Sequence, residues 1–229
     1  LQHFDVALWN RLASEDTRGW FINELTLNGN WGDPMMHPDL VSMLNTFSQH
    51  HPETQLYIHT NGSMRKPEWW SSLADVVRTF HNHTAVFSID GLEDTHSIYR
   101  VRTDYRRILE NISAFTGARG RARVTMTVFE HNKHQVAAVE DVARSVGAIE
   151  FEARPSHGEH TVQDGVRISS TDYEYSSKNL TSDVDSMSDQ RDFGLWGNIP
   201  IDNCASKCPW YSDRRIQIDP WASVWPCCH

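Results

Sequence analysis

Three short stretches combine residue types that hold charged or hydroxyl-bearing ligands. The first is Trp31-Gly32-Asp33-Pro34, which follows the apolar run NELTLNG (23–29). A strand end leaves backbone groups free, and here it adds one carboxylate, so the turn offers acceptors to a cationic group. Pro34 fixes the turn, and a purely structural turn is the competing reading. The second stretch is Thr60-Asn61-Gly62 at the end of QLYIHTNG (55–62), where Thr60 and Asn61 read as shaping a turn rather than touching ligand. The third is Ser88-Ile89-Asp90-Gly91, trailed by Asp94, His96, Arg100 and Arg102. Ser88 and Asp90 are two apart on one strand and therefore project to one side, where they meet ligand hydroxyls or a carboxylate. Asp90-Gly91 reads equally as turn chemistry before a helix. Arg100 or Arg102 offers a guanidinium to a carboxylate, or is a solvated surface cation.

All four cysteines, Cys204, Cys208, Cys227 and Cys228, fall in the last 26 residues. Crowding at one end points to a local metal or cluster site more than to a secreted disulfide framework, which spreads its cysteines. Iron–sulfur ligation, zinc and a disulfide are the three readings. Cys227 and Cys228 are adjacent and point apart in an extended chain, which argues against both binding one metal. Thirteen histidines are scattered without a helical HxxxH-type pair, so no histidine metal site is assigned. Sequons at Asn61, Asn82, Asn111 and Asn179 arise readily by chance. The cysteine pattern fits the reducing cytoplasm.

The elements that must position these groups alternate. Apolar runs at 23–29, 55–62, 84–91, 122–132 and 148–155 read as strands. Amphipathic patterns at 37–51, 67–80, 105–118 and 134–147 read as helices, the third closed by Gly117 and the fourth by Gly147. Strands of continuous apolar character joined by helices imply an α/β fold with a parallel sheet, and the repeat of about 30 residues fits the βαβ unit. Each strand ends in a polar or glycine-containing cluster. The carboxyl ends of such strands carry the site, so Gly32, Asn61, Ser88, Glu130 and Arg154 are expected on one rim. Residues 156–203, rich in Ser, Asp and Gly, read as a long irregular connection, and 204–229 as a separate Cys-, Trp- and Pro-dense unit.

With those residues in place, the chain resembles the radical S-adenosylmethionine (radical SAM) enzymes that carry a C-terminal SPASM or twitch extension. Trp31-Gly32-Asp33-Pro34 followed by MMHPDL stands where that family has Gly-Gly-Glu-Pro. Thr60-Asn61-Gly62 and Ser88-Ile89-Asp90-Gly91 with Asp94, His96 and Arg100 follow in the family's order, over about residues 20–155. In the tail, 13 residues separate Cys208 from Ala222 and four separate Ala222 from Cys227, a SPASM-like spacing with Ala in place of the usual Gly. IQIDPWASVWPCC looks like that extension's hairpin.

The resemblance implies a partial (β/α)6 TIM-like barrel lacking its first strand (1–155), a connection (156–203), and the start of a small Cys-containing extension (204–229). It implies SAM bound through Gly32, Asp33, Pro34, Ser88, Asp90 and Arg100. It also implies a catalytic [4Fe–4S] cluster whose CxxxCxxC loop is absent from residues 1–28, and an auxiliary cluster at Cys208, Cys227, Cys204 and Cys228. The family's reaction generates a 5′-deoxyadenosyl radical that takes hydrogen from substrate, here a peptide or protein, with a flavodoxin or ferredoxin as electron donor. Either the chain begins just after the cluster loop or the radical chemistry has been lost. The alternative function is a non-catalytic SAM- or nucleotide-binding module with a zinc-stabilised tail. At 229 residues and 39% apolar the chain can bury a sizeable core, and its charge of −9 excludes a broad nucleic-acid surface. No apolar run is long enough to span a membrane.

Overall fold

The strand Ala122–Val128 shows how residue order becomes architecture: Ala122, Val124, Met126 and Val128 are buried while Arg123, Thr125 and Thr127 are half-buried. One side of the sheet therefore packs on helices and the other is a polar surface. The computed structural model describes residues 3–14, 22–29, 32–156, 160–161, 167–181, 217–218 and 224–225. In chain order the elements are α1 (Val6–Ser14), β1 (Glu24–Leu27), α2 (Leu40–His50), β2 (Gln55–Thr60), α3 (Pro67–Val77), β3 (Asn82–Ser88), α4 (His96–Tyr99), α5 (Tyr105–Gly117), β4 (Ala122–Val128), α6 (Val136–Ser145), β5 (Glu150–Pro155), β6 (His160–Thr161), β7 (Arg167–Ile168), β8 (Ser176–Asn179), β9 (Gln217–Ile218) and β10 (Val224–Trp225).

The main sheet has the order β1-β2-β3-β4-β5-β8. β1 to β5 are parallel to their neighbours, as the alternation of strands and helices requires. Helices pack on one another in sequence, α1 on α2, α2 on α3 and α3 on α5. They line one face, the arrangement of a partial TIM-like barrel rather than a sheet wound on both sides. Within the 156–203 connection, β8 adds an antiparallel edge strand to β5, and β6 pairs with β7. β9 pairs antiparallel with β10 in the tail. Among the described residues no helix is long and apolar enough to cross a membrane.

The helix side of the sheet holds the core. Trp70, Phe87 and Phe115 are fully buried and meet ring to ring at 5.1–6.2 Å. Trp70 also donates from Nε1 to the Met64 carbonyl at 3.0 Å. α1 is fixed to α2 by Trp9, whose Nε1 donates to the Met43 carbonyl at 2.7 Å.

Several ends differ from the periodicity, each for a local reason. The helix expected from residue 37 begins at Leu40, because Asp33 caps a separate 3-10 turn, Pro34–Met36, by accepting from the Met35 N–H. β4 stops at Val128, because Asn132 Oδ1 accepts the Phe129 N–H at 2.7 Å and folds the chain into a turn. After α5 the reversal is carried by Arg119 at φ 66°, two residues beyond Gly117, whereas Gly147 at φ 78° does follow α6. The start of α5 is capped by Asp104, whose side chain accepts from the Arg107 N–H at 3.1 Å. Asp104→Ala should cost about 1 kcal/mol in urea unfolding, whereas an unchanged midpoint would mean that the cap contributes nothing.

Candidate functional site

The turn after β1 begins at Gly29, whose carbonyl accepts the Gly32 N–H at 3.1 Å. A side chain on Gly29 would strike the Gly32 carbonyl, while Gly32 itself is exposed at the rim. Asp33 stands in extended backbone, with its carboxylate turned into the protein. Oδ1 accepts from the Met35 N–H at 2.9 Å, Thr60 Oγ1 lies 3.0 Å from both oxygens, and the Asn61 N–H donates to Oδ2 at 2.8 Å. One carboxylate thus ties the first strand-end motif to the second.

Two residues that sequence reasoning did not place at the site brace these loops, Arg65 across the join and Asn111 from α5. Arg65 donates from Nε to the Met35 carbonyl at 2.8 Å and from Nη2 to the His37 carbonyl at 2.9 Å. Its positive φ of 66° is a feature that no local pattern announces. Asn111, fully buried on α5, donates to the Gly62 and Met64 carbonyls at 2.8 and 3.1 Å. That amide is committed to the fold, so its sequon is not a glycosylation site.

The third motif forms a hub. Asp90 is fully buried. Its carboxylate accepts from Arg100 Nε and from the Thr127 N–H, each at 2.5 Å, its own N–H donates to His96 Nδ1 at 3.1 Å, and its carbonyl accepts from Asn132 Nδ2 at 3.0 Å. Gly91 has φ 129°, and a Cβ there would come within 2.1 Å of Thr95 Oγ1, so only glycine fits. Gln135 accepts from the Leu92 N–H at 2.9 Å and from the Thr95 hydroxyl. Thr95 and Gln135 carried no sequence signal, whereas Asn132 lies in the polar cluster at its strand's end and only its bond to Asp90 is long-range. Ser88 is half-buried, and among the described residues its hydroxyl makes no hydrogen bond. Arg102 is exposed with φ 63° and stands apart from this hub.

The loops after β1 and β2 are thus bonded through Asp33, and the Ser63 hydroxyl, accepting the Asp104 N–H at 2.9 Å, links the second loop to the start of α5 at the end of the connection from β3. Arg154 lies at the same end of the sheet, paired in register with Thr127. Cys204, Cys208, Cys227 and Cys228 lie outside the described residues. Among the described residues, no group of three or more His, Cys, Asp or Glu side chains is arranged to hold a metal.

Two buried histidines have depressed proton affinity. His96 falls to about 4, chiefly by burial; the Asp90 charge opposes this and Arg100 adds to it. His83 also falls to about 4, by burial and then by Arg121 and Arg78, and its Nε2 accepts the Arg121 N–H. Both are neutral when folded and protonate readily when unfolded, so stability is complete above the unfolded value of 6.5 and declines as pH falls from there toward 4. The urea midpoint should therefore drop across that window, and His83→Gln should make the drop shallower. A midpoint flat with pH would contradict both assignments.

No protein-family model and no curated protein matches the sequence. Solved structures do match the fold. The crystal structure of Streptococcus suis SuiB bound to S-adenosylmethionine aligns with a TM-score of 0.51 and 15% identity, over 66% of this chain and 33% of SuiB. SuiB bound to its precursor peptide SuiA aligns with a TM-score of 0.51 and 15% identity, over 64% of this chain and 31% of SuiB. The chain therefore spans about a third of the length of the proteins it matches, and at this identity what is shared is the fold.

Proposed function

We propose that this chain is the barrel portion of a radical SAM enzyme, with SAM held at the rim built by the loops after β1, β2 and β3. The observation that carries this reading is that three separate motifs stand at the same ends of neighbouring parallel strands, the first two bonded through Asp33 to Thr60 and Asn61 and the third fixed through Asp90 to Arg100 and to Thr127 of β4. The fold likeness to SuiB, which was solved with SAM bound, supports it. The residues fit the ligand's chemistry. The exposed backbone at Gly32 receives an ammonium, the unpartnered Ser88 hydroxyl meets ribose hydroxyls, and the Arg100 guanidinium, anchored through Nε, presents its Nη groups to a carboxylate. Asp33, Pro34 and Asp90 act by fixing those three groups in place. Gly32, Ser88 and Arg100 would hold SAM, which on one-electron reduction and release of methionine would supply the hydrogen-abstracting chemistry; the protein's part is to bind and orient it.

The [4Fe–4S] cluster belongs to this reading; no cysteine is among the described residues. An auxiliary cluster at Cys204, Cys208, Cys227 and Cys228, a flavodoxin or ferredoxin donor and a peptide substrate complete the proposal. The last is supported by SuiB having been solved with a precursor peptide. The test is calorimetric titration of SAM into the full protein after anaerobic iron and sulfide reconstitution, with metal analysis. Saturable SAM binding that weakens several-fold in Ser88→Ala is expected. Zinc without sulfide, together with no SAM binding, would overturn the reading in favour of a zinc-stabilised module.

A further inference from the structure

The side of the sheet away from the helices is charged. In a parallel sheet covered on both faces, strands are apolar throughout; here β4 and β5 alternate, and the alternate positions are polar. Register places His59, Val86, Arg123 and Glu150 in one row across β2 to β5, Ser88, Thr125 and Glu152 in the next, and Thr127 with Arg154 in the last. Arg123 clasps Glu150 at 2.8 Å and lies 4.0 Å from Glu152. Glu152, with a side chain 3% exposed, also accepts from Arg154 Nε. Ser177 on β8 closes the set by donating to Glu150 at 3.0 Å.

His59 faces this network from β2. Burial, with Arg154 and Arg123 next, holds its imidazole below the usual proton affinity, against the smaller opposing effects of Glu152 and Glu24. Those arginines and glutamates belong to β5, β4 and β1, so groups from strands on either side of β2 act on it. Among the described residues neither ring nitrogen of His59 makes a hydrogen bond. A neutral imidazole offers one donor and one acceptor, and here both stand beside charged side chains that are paired with one another.

We propose that His59, on this polar face of the sheet, hydrogen-bonds a peptide amide of the bound substrate. The inference rests on the peptide reading above and deepens it by naming the contact. Charge selects the occupant. Arg123 and Arg154 are balanced by Glu150 and Glu152, so the face carries no excess positive charge to hold a phosphate. An apolar group would bury the network without replacing its water. A peptide amide matches His59 donor to acceptor and acceptor to donor at no charge cost.

The test uses the full chain labelled with [15N]histidine, with the His59 ring resonances identified by their loss in His59→Gln. N-acetyl-Gly-Gly-amide should move those resonances saturably while the ring stays neutral, and inorganic phosphate at equal concentration should not. His59→Leu should weaken peptide binding by about fivefold, the loss of one hydrogen bond of about 1 kcal/mol, and His59→Gln should weaken it less; circular dichroism checks that both fold. No movement up to the solubility limit of the peptide, or movement with phosphate instead, would overturn the inference. Movement with SAM alone would also overturn it by assigning His59 to the cofactor. SAM affinity measured on the same samples reports separately on the cofactor reading, because loss of SAM binding with an intact peptide response would remove that reading and leave the contact standing.

Discussion

Asp90→Ala should lower stability by roughly 3 kcal/mol, at the lower end of what breaking a buried ion pair costs. Asp90 is wholly buried, whereas its partner Arg100 has a side chain 30% exposed. The arginine left behind recovers some hydration and stacks on Tyr99, whose ring centre is 5.2 Å from its guanidinium carbon. The Thr127 N–H has no such escape, since Asp90 Oδ1 is its acceptor and lies inside the protein. Asp90→Asn keeps an acceptor for Thr127 and should cost less. Arg100→Met, which leaves the carboxylate uncompensated, should cost at least as much as Asp90→Ala, because the carboxylate is the more buried charge. Urea unfolding of the three variants checks the order, and a loss below about 1 kcal/mol for Asp90→Ala would show that the pair is not the hub described. SAM affinity should fall alongside, since Arg100 then has no fixed orientation.

The second large effect concerns Asp33. Its carboxylate accepts from Met35, Thr60 and Asn61, and hydrogen bonds to a charged group are worth roughly 1.5–3 kcal/mol. Asp33→Ala should therefore destabilise by about 2–3 kcal/mol and weaken SAM binding through loss of the join between two loops. A carboxylate that met only the ligand would give a different pattern, with weaker binding and unchanged stability. Thr60→Val distinguishes these accounts, because it removes one donor to Asp33 without approaching the ligand. If the two residues act as one join, the double variant should fall short of the sum by about 0.5 kcal/mol or more. Strict additivity would return Asp33 to the role of a direct ligand contact.

These two carboxylates also mark the boundary between what sequence and tertiary structure each decide. Asp33 and Asp90 stand out in the sequence because they occupy strand ends beside glycine and proline, which is a local property. What they bond to is not local: their partners Thr60 and Thr127 lie 27 and 37 residues away, on neighbouring strands. Sequence therefore located both residues at the rim, while register determined that each carboxylate turns inward.

The same division runs through the fold. Periodicity alone was enough for five strands, the helices between them, and a parallel sheet, because the alternation of burial is written into residue order. Helix and strand ends depended on capping by Asp33, Asn132 and Asp104, contacts made only once the turns close. Tertiary structure alone decided the antiparallel edge strand β8, whose Ser-Ser-Lys-Asn sequence has no strand pattern and is held by pairing with β5. It alone also gathered His59, Arg123, Glu150, Glu152 and Arg154. In sequence they are scattered polar residues on three strands, and only parallel register stacks them into rows on one face of the sheet.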